Sequence, residues 1–166
     1  MEQFHDYMAE YRKQLEKGAI QKAYKGLMDY ILGLKTYLQK KYPDYFVSSS
    51  LYFGYMDMTY FSFSPASLQN RKLKIAIVFV YDTFRFEAWL CGANRQVQSD
   101  YWKLFKKIGW NQYHIAPSIK GIDAIVDYVL VEDPDFRDLE ALTNQIERGA
   151  LKFSADVEGF IAAHPL

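Results

Sequence analysis

The segment from residue 73 to residue 92, LKIAIVFVYDTFRFEAWLCG, constrains the fold more than any other part of the chain. It is rich in β-branched and aromatic residues and is interrupted at Asp82-Thr83. Alternate residues of a strand point to opposite faces, and one face of each half is wholly apolar. The connection is too short for a parallel crossover. We therefore predict an antiparallel hairpin, with strands at residues 73–81 and 84–91, in the middle of a sheet.

The preceding segment predicts two further strands, at residues 48–54 and 57–64. Alternating small, polar and aromatic residues are typical of strands, and Gly54 indicates where the bend begins. Pro65 ends the second strand because it donates no backbone hydrogen bond. Together with the hairpin, these strands form a four-stranded antiparallel meander of sequence neighbours. Residues 65–72 are then a polar connection.

Helices are predicted before the sheet, at residues 2–17 and 20–41. Both segments carry apolar residues at spacings of three and four, which is the pattern of one helical stripe. Gly26 and Gly33 lie seven residues apart on the second helix and weaken it by about 1 kcal/mol each relative to alanine. They indicate either the close approach of another backbone or simple packing, and we favour packing.

After the predicted sheet, the spacing of the apolar residues changes from that of a strand to that of a helix. Asn94 suits the N-cap of a helix that runs to about residue 108, and Gly109 lies where a C-terminal glycine belongs. A short extended piece is predicted at residues 110–116. Residues 119–131 are ambiguous, because their apolar spacing fits a helix while their last residues are typical of a strand. We interpret them as a helix.

A long helix is predicted at the end of the chain. Asp133 suits its N-cap and Pro134 its first position. One continuous apolar stripe follows, made of Phe136, Leu139, Leu142, Ile146, Ala150, Phe153, Val157 and Phe160.

This order of elements predicts an α+β fold, in which N-terminal and C-terminal helices flank a four-stranded antiparallel sheet. At 166 residues, a single domain over residues 1–166 is the default. We expect helices to cover one face of the sheet. The other face is then covered by the C-terminal helix or by the second subunit of a homodimer.

Charge and composition narrow the classes of partner. Twenty basic and twenty acidic side chains cancel, which argues against nucleic acid or an anionic membrane as the partner. Lys103, Lys106 and Lys107 offer an alternative, because a patch of lysines on one helix can bind nucleic acid. We interpret these lysines instead as a solvated helix face. The first residues lack the apolar core of a signal peptide and no apolar run is long enough to span a membrane, so we expect a cytoplasmic protein.

Sequence motifs for metals, phosphates and nucleophiles are missing. His5, His114 and His164 are far apart and match no zinc spacing, and neither a phosphate-binding glycine motif nor a nucleophile elbow occurs. We therefore predict no metal and no cofactor. The single cysteine, Cys91, is interpreted as a small buried residue at a strand end; the alternative is a thiol activated by the following helix.

Two weaker patterns lie beside the hairpin. The turn Gly92-Ala93-Asn94-Arg95 offers backbone amides and a cation to an anion, although such a turn is more often an ordinary strand-to-helix connection. Asp82 followed by Glu87-Ala88-Trp89 resembles part of a metal-dependent nuclease motif, but Trp89 stands where that motif needs a lysine.

The best candidate site is the polar-aromatic face of the fourth strand. Arg85, Glu87 and Trp89 share that face, where the first two are close enough to pair. Flat aromatic walls with a few polar groups are typical of small-ligand sites, while the alternative is a satisfied ion pair on a covered sheet face. The predicted site residues are Arg85, Glu87, Trp89, Arg95, Tyr52, Tyr60 and Trp102.

Two functions compete for this face. The first is a binding module for a small molecule or a protein. The second is an enzyme acting on a small polar substrate, with Glu87 as the acid/base and Arg85 holding an anion. Outside the enzyme hypothesis, the sequence assigns no catalytic residue.

The segment FVYDTFRFEAWLCGANRQVQSDYW resembles a bacterial family of uncharacterised proteins. The resemblance covers most of the chain and depends on residues 84–90 and on Asn94-Arg95. It implies a domain of unknown function, and it brings no activity, substrate or catalytic residues with it.

Overall fold

The computed structural model describes residue 1, residues 3–121 and residues 123–166. Its contacts group into two compact units, Met1–Tyr37 and Leu38–Leu166. The single-domain assignment stays a prediction.

The first unit consists of helix α1, Phe4–Glu16, and most of helix α2, Ala19–Lys41. A capping box starts α1, in which the Asp6 carboxylate accepts a hydrogen bond of 2.8 Å from the Gln3 backbone N–H. Gly18, with φ of 78°, turns the chain between the helices. Both predicted helices are therefore confirmed over the described residues, and Glu2 lies outside them. No residue of α1 is buried.

The glycines of α2 do not mark a close approach. A Cβ added at Gly26 or Gly33 would meet no atom within 4 Å among the described residues. Both glycines lie on an exposed part of the helix, so the described residues show neither the approach of another backbone nor packing against these positions.

The second unit is built on one six-stranded antiparallel sheet with the order β1-β2-β3-β4-β6-β5. The strands are β1 Phe46–Val47, β2 Met58–Ser64, β3 Leu73–Val80, β4 Arg85–Gly92, β5 His114–Ile115 and β6 Val126–Val131. The helices are α3 Ala66–Gln69, α4 Arg95–Ile108 and α5 Leu139–Ala163, together with the end of α2. The predicted α+β class is confirmed: the chain has an antiparallel sheet, which N-terminal helices precede and C-terminal helices follow in sequence.

The predicted central hairpin is present. β3 and β4 pair along their whole length, from Leu73 opposite Gly92 to Val80 opposite Arg85. The connection is a four-residue loop, residues 81–84, in which Phe84 has a left-handed φ of 53°. Six of the eight residues of β3 are buried, as expected for a strand at the centre of a sheet.

The predicted count of four strands was wrong, because the described residues form six. Residues 48–54 do not make a continuous strand; only Tyr52 bridges to Tyr60, and a short β1 precedes them. The larger error lies at residues 119–131, where β6 pairs with β4 in place of the predicted helix. A β-bulge shifts the register between β4 and β6 at Phe86 and Glu87. The alternation of side chains along β6 is therefore interrupted, and the sequence does not show the regular period of a strand. Ile122 of that predicted helix lies outside the described residues.

The last helix starts later than predicted. Asp138 caps α5 by accepting a hydrogen bond of 3.0 Å from the Ala141 N–H. Asp133 instead adopts a left-handed φ of 53°, and Phe136 packs against the rings of Phe79 and Phe84 at the end of the sheet. The left-handed backbone at Asp133 is incompatible with the predicted helix start at that residue. Residues 65–72, predicted as a connection, contain the short helix α3.

The apolar face of the sheet packs against α5. The Tyr128 ring of β6 stacks on Phe153, with centroids 6.1 Å apart. A Cβ at Gly149 would lie 2.8 Å from the Leu130 side chain, so the helix and the strand are in close contact there. α4 packs against α5 through Phe105, whose ring stacks on the ring of Phe160 with centroids 4.6 Å apart. Among the described residues, no helix combines the length and the apolar content that a membrane span requires.

Candidate functional site

The opposite face of the sheet contains a depression of about 440 Å³. Tyr60 of β2, Ala76 of β3 and Trp89 of β4 lie on this polar-aromatic face, because Ala76 is paired with Trp89 and Tyr60 lies one diagonal position away. We call the hollow the sheet depression. Its walls include Tyr52, Tyr60, Lys74, Ala76, Trp89, Cys91, Arg95, Gln98 and Asp123.

Two tyrosines make one wall of the sheet depression. The Tyr52 and Tyr60 rings stack with centroids 4.9 Å apart and planes inclined by 29°. Reciprocal backbone hydrogen bonds of 2.9 and 3.0 Å fix the two residues opposite each other. The small side chain of Ala76 lies on the strand between Tyr60 and Trp89, and β2 and β4 are about 10 Å apart. A flat space therefore remains between the tyrosine wall and the indole.

The Trp89 indole is held in place from its own strand. Glu87 is 6% exposed, and its Oε1 accepts a hydrogen bond of 3.1 Å from Trp89 Nε1. Its Oε2 accepts a second hydrogen bond of 3.1 Å from Arg85 Nε. Arg85 also lies 3.6 Å from the Glu132 carboxylate. The three predicted residues thus form a connected ladder in which Glu87 orients Trp89.

Two cationic side chains line the other side of the sheet depression. Lys74 comes from β3 and Arg95 from the first turn of α4. The Lys74 Nζ lies 5.9 Å from the centre of the Tyr60 ring. Neither cation has a carboxylate within 4.0 Å in the part of the chain that the structure describes. Asp123 is the acidic residue of this wall, so the three charges sum to +1.

The turn between β4 and α4 is fixed by its own hydrogen bonds. Gln98 Oε1 accepts from the Gly92 N–H at 2.6 Å, and Asn94 Oδ1 accepts from the Val97 N–H at 3.0 Å. The Ala93 N–H donates to the Lys72 carbonyl at 2.9 Å. These three amides already have acceptors within the protein, so they are not available to an anion, whereas the Arg95 side chain lines the sheet depression.

Cys91 lies in the floor of the sheet depression and is 8% exposed. Burial raises the pKa of its thiol to about 12, although the nearby Lys74 ammonium acts in the opposite direction. A thiol with this pKa is protonated at neutral pH. The structure therefore supports the interpretation as a small buried residue and not as an activated nucleophile.

We expect Cys91 to react slowly with a thiol reagent such as iodoacetamide at pH 8 in the native state, and rapidly after unfolding in denaturant. Because the folded pKa is raised above the unfolded value, the stability from the protonated thiol is present below about pH 8.5 and is lost as the pH rises toward 12. Mass spectrometry of the labelled protein measures the rate. Equal rates in the native and denatured states would contradict this assignment.

The predicted site residues separate into three groups. Tyr52, Tyr60, Trp89 and Arg95 line the sheet depression, while Arg85 and Glu87 form the ladder behind Trp89. Trp102 lies elsewhere on α4, where its Nε1 donates a hydrogen bond of 2.8 Å to the Ala116 carbonyl.

Among the residues that line the sheet depression, sequence reasoning missed the polar side chains of Lys74, Gln98 and Asp123 as well as Met58 and Ala76. One signal was available for the first, because Lys74 is the single charged residue in β3. Asp123 precedes the strand that was interpreted as a helix, so its place beside the sheet depended on the tertiary fold.

A second, shallower hollow of about 250 Å³ lies on the other side of Trp89. Glu87, Asp123 and Asp127 line it, and His114 Nδ1 is 2.8 Å from Asp127 Oδ2. Among the described residues, no group of three or more histidine, cysteine, aspartate or glutamate side chains is arranged to hold a metal ion.

The fold and this face define the class of protein: an α+β domain whose antiparallel sheet has an aromatic-lined depression on one face. Residues 4–161 match the family described as Domain of unknown function (DUF7000), and the chain belongs to this family. The predicted membership of a family without an assigned function is thereby confirmed. Neither the curated proteins nor the solved structures contain a match to the chain.

Proposed function

We propose that this protein binds a small planar molecule in the sheet depression, with its ring between the tyrosine wall and the Trp89 indole. The observation that carries the proposal is the stacked Tyr52–Tyr60 pair across the small Ala76 from an indole held by Glu87. The volume of about 440 Å³ lies in the range of small-molecule sites. Aromatic rings favour offset or edge-to-face contacts with another ring.

Binding is better supported than catalysis by Glu87. A general acid/base needs an oxygen within reach of the substrate proton. Both Glu87 oxygens already accept hydrogen bonds, one from Arg85 and one from Trp89. The buried Glu87 beside the shallow hollow is the observation that favours the enzyme hypothesis. Its two bonds instead support a positioning role.

A nuclear magnetic resonance titration with 2-naphthamide, a neutral planar probe, tests the proposal. We expect shifts at the Trp89 indole N–H and at the backbone amides of Tyr52 and Tyr60. Tyr60→Ala should weaken binding about tenfold, because the loss of an aromatic contact of about 1.4 kcal/mol corresponds to that factor.

The matched control is Tyr55→Ala, since Tyr55 is 91% exposed and does not line the sheet depression. We expect it to bind the probe as the unaltered protein does. Circular dichroism confirms that each variant is folded. A probe that shifts no signal around the sheet depression, or that binds Tyr60→Ala at full strength, would contradict the proposal.

A further inference from the structure

We infer that the ligand of the sheet depression is a planar ring bearing an anionic group, which Lys74 and Arg95 bind. This inference rests on the proposed function and names the chemical class of its ligand. It covers carboxylates and phosphates alike, because both are negatively charged acceptors for a lysine and an arginine.

The position of Lys74 is the first reason. It lies on the same face of β3 as Ala76, two residues away, and opposite Cys91. Its ammonium is thus next to the space where the planar ring would lie. Lysine is unfavourable in a central strand whose other side chains are apolar, because its charge must keep water or a partner. A bound anion would provide that partner.

The surrounding charges are the second reason. Arg95 reaches the same depression from α4, so the two cations approach from different elements. The neighbouring Cys91 thiol and Tyr60 phenol supply no negative charge, because a thiol and a phenol are both largely protonated at neutral pH. Burial raises the pKa of both groups further. Asp123 offsets one of the two positive charges and leaves a net charge of +1.

The test compares the dissociation constants of 2-naphthoate, 2-naphthyl phosphate and neutral 2-naphthamide, measured by calorimetry. We expect at least one of the anions to bind about tenfold more tightly than 2-naphthamide, as a charge-assisted hydrogen bond of about 1.5 kcal/mol implies. The stronger anion identifies the charged group. Added salt should reduce the advantage, since the site is open to solvent.

Variants separate charge from packing. Lys74→Met and Arg95→Gln should each weaken the binding of the anions more than that of 2-naphthamide, and so remove most of the advantage of the anion. Lys74→Arg should retain the advantage. Asp123→Asn should tighten anion binding several-fold, because it removes a like charge. Lys106→Met is the control, since Lys106 is exposed on α4 and does not line the sheet depression.

The outcomes distinguish the two proposals. If 2-naphthamide binds as tightly as both anions, the inference is overturned and the proposed function stands. If Lys74→Met weakens all three probes equally, Lys74 acts through packing and the inference is also overturned. If 2-naphthamide does not bind, the proposed function itself fails.

Discussion

Replacing Glu87 with alanine should lower the free energy of unfolding by about 2–3 kcal/mol. The carboxylate is buried and accepts hydrogen bonds from Arg85 and from the Trp89 indole, so its removal leaves two donors without an acceptor. Breaking a fully buried ion pair costs about 3–5 kcal/mol, and the partial exposure of Arg85 reduces that value. Urea unfolding measures the change.

Glu132→Ala is the matched control for this prediction. Glu132 lies on the outer side of Arg85, at 3.6 Å, and its side chain is 78% exposed. An exposed pair of this kind contributes little, so we expect a change within about 0.5 kcal/mol. Equal effects of the two substitutions would show that the ladder does not stabilise the sheet. A change in the chemical shift of the Trp89 indole N–H in Glu87→Ala would further support the positioning role of Glu87.

Replacing Gly92 with alanine should destabilise the protein by about 2 kcal/mol. A Cβ at this position would lie 2.5 Å from the Gln98 backbone nitrogen and 2.9 Å from its Cα. Since these are backbone atoms of α4, the helix must shift away from the strand. The Gly92 N–H also donates to the Gln98 side chain at 2.6 Å, and the shift would weaken that hydrogen bond. Thermal and urea unfolding both report the loss.

Gly33→Ala provides a control of opposite sign. Gly33 lies inside α2, and a Cβ there would meet no atom within 4 Å among the described residues. Alanine should therefore raise stability by about 0.5–1 kcal/mol through helix propensity. A Gly92→Ala variant as stable as the unaltered protein would show that the strand and α4 are not locked together. The proposed ligand site would then lack a fixed wall at Arg95.

The local pattern predicted the central hairpin because all of its information lies within twenty consecutive residues. The alternation of β3 and β4, with a break too short for a crossover, admits one pairing. The helix that follows was predicted for the same reason, since Asn94 and Gly109 cap it as expected. The candidate residues Arg85, Glu87 and Trp89 followed from the strand period alone.

The errors occur where distant residues decide the local structure. β6 carries apolar residues at a spacing that also suits a helix, and pairing with β4 makes it a strand. α5 starts at Leu139, after the Asp138 cap, and the preceding Phe136 contacts the rings of Phe79 and Phe84, which lie far earlier in the sequence. The order β4-β6-β5 also has no counterpart in the sequence, because strand pairing depends on contacts across the sheet.

Local patterns were therefore sufficient to predict the α+β class, the β3–β4 hairpin and the residues that share the polar-aromatic face. Contacts between distant elements stack Tyr52 on Tyr60 and place Lys74 and Asp123 in the same depression as Trp89. They place Trp102 elsewhere. The two kinds of feature differ in how far apart in the sequence the residues that specify them lie. Side-chain alternation is a property of one strand, whereas a cavity is formed by side chains from several elements whose pairing and register depend on the whole sheet.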